Sequence, residues 1–143
     1  MQRELPVDTH EKVQRLSAVG DALAHQKKYD EAIRQYQDAW DLLPEPKTDW
    51  EAAAWLLAAI GDAHFFSRRF DKSHDVFTAV IANSAGGLGN PFLHLRRGES
   101  LFELGRQDEA ADELMRAHMG AGPDIFKTED PKYLRYLKTK AKL

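Results

Sequence analysis

Six histidines (His10, His25, His64, His74, His94 and His118) and 23 aspartates and glutamates are the side chains that could bind a metal or move a proton. A zinc hydrolase would need two of those histidines four residues apart with a glutamate between them, and no pair has that spacing. There are no cysteines, which excludes disulfides, thiolate metal sites and thiol nucleophiles. The Gly86-Gly87-Leu88-Gly89 run precedes a helix start, where backbone N–H groups could meet an anion, but the Lys-Ser/Thr pair of a phosphate loop is missing, so it reads as a connector. No GxSxG or dinucleotide fingerprint occurs, and so many acids on helices produce close carboxylate pairs by chance. The residues therefore predict no catalytic group, no metal site and no cofactor. What stands out is a row of acids in which Asp21, Asp62 and Glu99 each follow a glycine.

The elements carrying that row are helical. Alternating apolar and polar runs are absent, and the valines and isoleucines fall at helical spacings. The segment Lys28–Pro44 is the clearest: Ala32, Tyr36 and Ala39 share a stripe at steps of four and three, and Pro44 stops it. Caps and breakers predict seven helices. Asp8, Asp30, Thr48 or Asp49, Asp71 and Asp108 are the expected caps of five of them, and Asn90-Pro91 and Asp130-Pro131 open the other two. Residues 83–90, with three glycines, are expected to be the loosest loop. The first six helices form three pairs with one register. Twelve residues beyond Gly20, Gly61 and Gly98 stand the small Ala32, Ser73 and Ala110. Sixteen beyond stand the large Tyr36, Phe77 and Leu114, and nineteen beyond stand Ala39, Val80 and Ala117. A helical glycine opposite a small residue lets two antiparallel helices approach, and the large residue fills the space beside that contact.

With these slots the chain resembles the tetratricopeptide repeat (TPR) family, whose 34-residue units follow W-x2-L-G-x2-Y…A-x3-F…P. Leu16, Val19, Gly20, Leu23, Ala32, Tyr36 and Pro44 match in the first unit. Leu57, Ile60, Gly61, Ser73 and Phe77 match in the second, with His64 in the tyrosine slot. Gly98, Leu101, Ala110 and Leu114 match in the third, where His94 and Arg97 stand in slots that are usually apolar, either exposed at the unit's edge or part of a recognition surface. The glycines are 41 and 37 residues apart, and the excess falls between units, in 44–50 and 84–90. The resemblance implies an all-α fold: a right-handed superhelix of three antiparallel helix pairs in a single domain, with repeats over about 13–46, 49–85 and 90–122 and a capping helix over about 130–141.

In such a stack the first helix of each pair lines a concave groove. The groove stripe is offset by one residue from the packing glycine. It contains Ser17, Asp21 and His25 in the first unit, Trp55, Asp62 and Phe65 in the second, and Phe92, Glu99 and Phe102 in the third. An acidic row beside an aromatic row suits a partner peptide or loop carrying Lys or Arg and a few large apolar groups. Some relatives clamp a C-terminal carboxylate with Lys, Asn and Arg. Here those slots hold Ser17, Asp21, Asp62 and Phe92, and only Arg96 fits, so acidic chaperone tails are not expected to bind.

The stretch 119–134, MGAGPDIFKTEDPKYL, is similar to the C-terminal signature of small bacterial TPR proteins, some of which accompany toxins as immunity proteins. The last helix, with Tyr133, Leu134, Leu137 and Ala141 on one face, is expected to cap the array. The net charge of −3 gives no field for nucleic acid or an anionic membrane. The polar N-terminus carries no apolar signal core, and the longest apolar run, 52–60, is too short to span a bilayer, so a cytoplasmic location is expected. The leading expectation is a non-enzymatic module gripping another protein or peptide, one that is basic. Immunity against a cognate toxin is the alternative. A metal-binding protein or enzyme using the histidines and acidic groove residues is the rival from another class.

Overall fold

The computed structural model describes residues 4–143. Seven α-helices and no strand occur among them: α1 (Val7–His25), α2 (Tyr29–Asp41), α3 (Glu51–Phe66), α4 (Phe70–Asn83), α5 (Pro91–Glu103), α6 (Gln107–Ala121) and α7 (Pro131–Lys140). The helices fall into two compact units, residues 1–69 with α1–α3 and residues 70–143 with α4–α7.

In the first unit α1 packs on α2, and α2 on α3, around buried Val13, Ala32, Tyr36, Ala39, Leu43, Trp50, Leu56 and Ile60. The α1–α2 approach is set by glycine. A Cβ at Gly20 would stand 2.6–2.9 Å from the Tyr36 ring, closer than carbon atoms pack. In the second unit α5 packs on both α4 and α6, and α7 on α6, around Phe77, Val80, Leu95, Leu101, Leu114 and Leu137. There Gly98 faces Leu114, with 3.0 Å from a built Cβ to the leucine side chain. Both contacts join residues sixteen apart, as the repeat register requires. Gly61 is buried as well.

The turns after α1, α3 and α5 share one geometry. Lys27, Arg68 and Gly105 adopt left-handed φ values of 61°, 64° and 79°. One residue later the N–H of Lys28, Arg69 and Arg106 closes on the carbonyls of Leu23, His64 and Leu101 at 2.8–2.9 Å, a Schellman stop. The expected aspartate caps do not form at α2 and α6. These helices begin at Tyr29 and Gln107, no side chain caps Lys28 or Arg106, and Asp30 and Asp108 lie in the first turn, where they favour the helix dipole. The tight turn delivers the chain already helical, one residue before the aspartate. Where proline sets the start, capping follows the sequence: Asn90 accepts from the Phe92 N–H and Asp130 from the Lys132 N–H, both at 3.0 Å. Only one of the three left-handed positions is glycine, and a left-handed conformation costs a residue with Cβ about 1 kcal/mol. Lys27→Gly is therefore expected to stabilise the chain by about 0.5–1 kcal/mol, read as a higher urea midpoint at unchanged slope.

The connector over 84–90 is more tightly tied than its glycines suggest. It contains a 3-10 turn (Gly87–Gly89), and buried Gly87 lies so close to α4 that a Cβ would meet the Ile81 carbonyl oxygen at 2.8 Å. After α2, Lys47 Nζ donates to the Leu43 carbonyl at 2.8 Å and the Trp40 carbonyl at 3.1 Å, and Trp50 Nε1 donates to the Pro44 carbonyl at 2.7 Å. No helix among the described residues is long and apolar enough to cross a membrane.

Candidate functional site

The α1 stripe that carries Asp21, Ala24 and His25 and the α3 stripe that carries Ala59, Asp62 and Phe66 face a common cleft of about 450 Å³ in the first unit. Tyr29 and Tyr36 of α2 complete its wall, and Lys27 stands at its edge. The alanines leave the space open and the longer side chains line it. Tyr36 does two jobs. Its ring fills the gap at Gly20, and its hydroxyl donates to Asp21 Oδ1 at 2.6 Å. Burial first, then the hydrogen bond to Asp21 and the charges of Asp21 and Asp62, push the phenol above its ordinary value. Tyr36 thus stays protonated and holds the Asp21 carboxylate in place. Phe66, 51% exposed, stacks on Tyr29 with centroids 6.4 Å apart and rings 21° from parallel, and Phe65 meets it edge-on at 5.4 Å. Two carboxylates beside an exposed aromatic wall can attract a cation by charge and by ring quadrupole together.

The other residues of the expected groove are placed differently. Ser17 is buried and donates to the Val13 carbonyl at 2.7 Å. Phe65 is buried, while Trp55 is 41% exposed and lines a separate hollow with Val7 and Glu51. In the second unit the stripe is covered by the chain's own C-terminal segment. Phe102 is met edge-on by Tyr133 at 5.4 Å and by Tyr136 at 5.2 Å. Phe92 is half-buried against Phe77, with the Arg96 guanidinium 5.1 Å above its ring. Arg96, 4% exposed, donates to Glu99 at 2.7 Å and to Glu129 at 2.5 Å, leaving it no surface for a ligand carboxylate. Glu99 is fully buried. Burial pushes it up to about 9, against the pull of Arg96 and with the help of neighbouring Glu129. Burial would raise Glu129 too, but the Arg96 charge and hydrogen bonds from Glu99, Arg96 and Thr128 outweigh it and lower the group. The cluster therefore keeps a proton on Glu99 and the charge on Glu129.

His94 and Arg97 share an internal partner. Glu113 takes His94 Nδ1 at 2.5 Å and Arg97 at 2.9 Å, while His94 Nε2 meets the Leu88 carbonyl and Arg97 Nε donates to Thr78. Sequence reasoning missed Glu113, although the register pointed to it, because Arg97 precedes Gly98 as Glu113 precedes Leu114, the residue Gly98 faces. Among the described residues no three His, Asp or Glu side chains converge as the ligands of a metal would.

A tetratricopeptide repeat family model matches residues 13–85, and a second matches residues 58–124. No curated protein sequence matches the chain. Solved structures of similar fold include the first TPR of Spaghetti (RPAP3) bound to the HSP90 peptide SRMEEVD, with TM-score 0.67, 21% identity and 90% of each chain covered. The TPR domain of Arabidopsis OM64 is similar with TM-score 0.71 and 19% identity, over 93% of this chain and 99% of that one. The Yersinia enterocolitica type III secretion chaperone SycD, in complex with a peptide of the translocator YopD, gives TM-score 0.71 and 18% identity over 96% and 95%.

Proposed function

The chain belongs to the tetratricopeptide repeat family, and on that premise we propose that it is a non-enzymatic protein-interaction module whose α1–α3 cleft takes a basic side chain of a partner segment. The observation that carries this reading is the pairing of Asp21 and Asp62 across one cleft, with Tyr36 orienting the first carboxylate and Tyr29 and Phe66 forming an aromatic wall. Peptide capture by the Spaghetti and SycD structures supports a peptide as the kind of partner, and the charge of this cleft chooses a different peptide chemistry. A carboxylate-terminated tail such as SRMEEVD would meet two aspartates here, and the single arginine that fits a carboxylate clamp, Arg96, is already bound to Glu99 and Glu129. Neutralisation of a basic toxin would use the same cleft against a basic loop of the effector.

The test is fluorescence anisotropy with labelled peptides at low salt. Lysine- or arginine-bearing peptides are expected to bind, and SRMEEVD is not expected to bind at 1 mM, about the −4 kcal/mol level. Asp62→Asn is expected to weaken the basic peptides about tenfold in a chain that thermal melting shows to be folded. SRMEEVD binding as well as the basic peptides, or full affinity retained in the Asp21→Asn/Asp62→Asn double variant, would overturn the proposal.

A further inference from the structure

A second hollow of about 720 Å³ lies along the same two helices, nearer their N-termini. Val7, 72% exposed, and Trp55 line it with Leu5, while Glu4, Glu11 and Glu51 contribute carboxylates. It carries three carboxylates to the aspartate cleft's two, beside the exposed apolar Val7 and Trp55. Both hollows lie between α1 and α3, and the two helices run in the same sense, since the starts of both line one hollow and the ends of both line the other. Val7 to Asp21 on α1 is fourteen residues and Trp55 to Asp62 on α3 is seven, about 21 and 10 Å of helix rise, so the two anchor pairs are centred about 16 Å apart. Between the hollows stand Ala18 and Ala58, both small and neither buried.

We propose that the two hollows form one ruler for an extended partner segment, with a large apolar side chain against Val7 and Trp55 and a lysine or arginine between Asp21 and Asp62, four or five residues apart. The spacing follows from about 3.3 Å per residue of extended chain laid over about 16 Å. Carboxylates at both ends favour a segment that is basic around its apolar residue too, which sets the occupant apart from a purely apolar peptide. This inference rests on the cleft reading above and adds the register.

The experiment uses the whole chain and a series of twelve-residue peptides containing one Trp and one Lys, separated by two to eight residues in both chain orders on a Gly/Ser background, followed by anisotropy. Affinity is expected to peak at a separation of four or five, in at least one order, about tenfold above separations of two and eight. Trp55→Ala is expected to flatten that peak without changing affinity for a peptide carrying Lys alone, and Val7→Asp, at a more exposed position, gives an independent check. A flat profile that still depends on Asp62 overturns the ruler and leaves the cleft reading standing. Failure of every basic peptide to bind overturns both.

Discussion

Arg96→Met is expected to destabilise the chain by about 3–5 kcal/mol, whereas Glu99→Gln, at its direct partner in the same cluster, should cost little at pH 5 and stabilise at pH 8. Removing the arginine strips the counter-charge from Glu129, a carboxylate that Arg96 holds at 2.5 Å, and an unpaired buried charge is the costly result. The glutamine, by contrast, resembles what Glu99 already is. Burial holds the Glu99 proton up to about 9, and its Oε2 is buried with no hydrogen-bond partner, as suits a neutral carboxyl better than a charged one. A raised folded value means that Glu99's stabilising contribution is complete below its ordinary 4.5 and is lost as pH climbs towards 9, at up to ~1.4 kcal/mol per pH unit. Glu129, lowered in the fold, contributes in the opposite sense, above its ordinary value, and loses that contribution as pH falls. Urea melts below pH 4.5 check the Glu129 statement, and melts from pH 5 to 9 check the Glu99 one. The parent chain should lose stability across that window, and Glu99→Gln should remove most of the slope. A parent profile as flat as the variant's would show that Glu99 is ionised in the folded chain.

The second large effect lies at the glycine crossing of the first unit. Tyr36 is 3% exposed, and Tyr36→Ala is expected to cost about 3–5 kcal/mol through the cavity it leaves. Gly20→Ala alone should cost about 1–2 kcal/mol. The added methyl would press on a ring that the bond to Asp21 keeps from sliding away, and this overpacking exceeds the roughly 1 kcal/mol that alanine gains over glycine in a helix. In the Tyr36→Ala background the same methyl has room, so Gly20→Ala should turn stabilising by about 1 kcal/mol. A double-mutant cycle by denaturant melting therefore should show coupling of about 2–3 kcal/mol. Additive effects would mean that the glycine is not there for the ring. At Gly98 the facing atoms belong mainly to the flexible end of Leu114, and the corresponding coupling should be smaller.

These crossings were legible in the sequence because one number, an offset of sixteen, ties each glycine to its large partner. The contacts Gly20–Tyr36 and Gly98–Leu114 then follow from the register alone. The same register would have found Glu113 beside Arg97 had polar residues been aligned as carefully as apolar ones. Two features lay beyond that reach. The aspartates expected as caps sit one residue inside α2 and α6, because the preceding left-handed turn, and not a side chain, starts the helix. The covering of Phe102 and Arg96 depends on Tyr133, Tyr136 and Glu129, which return from about thirty residues downstream, and no local pattern in α5 announces them. In the first unit the stripe that faces the cleft needs only α1 and α3, so Asp21, His25 and Asp62 could be placed together from helical spacing.

Lys27 joins two of these themes. It holds a left-handed backbone and stands at the edge of the aspartate cleft. A strained cation in the lining of an acidic cleft works against the fold and against the negative potential of Asp21 and Asp62 at once. Engineers usually find that robustness and grip compete, since sites built for function carry conformations the scaffold would rather relax. Here one position offers both in the same direction: trading that lysine for glycine relaxes the hairpin and deepens the negative potential around the two aspartates.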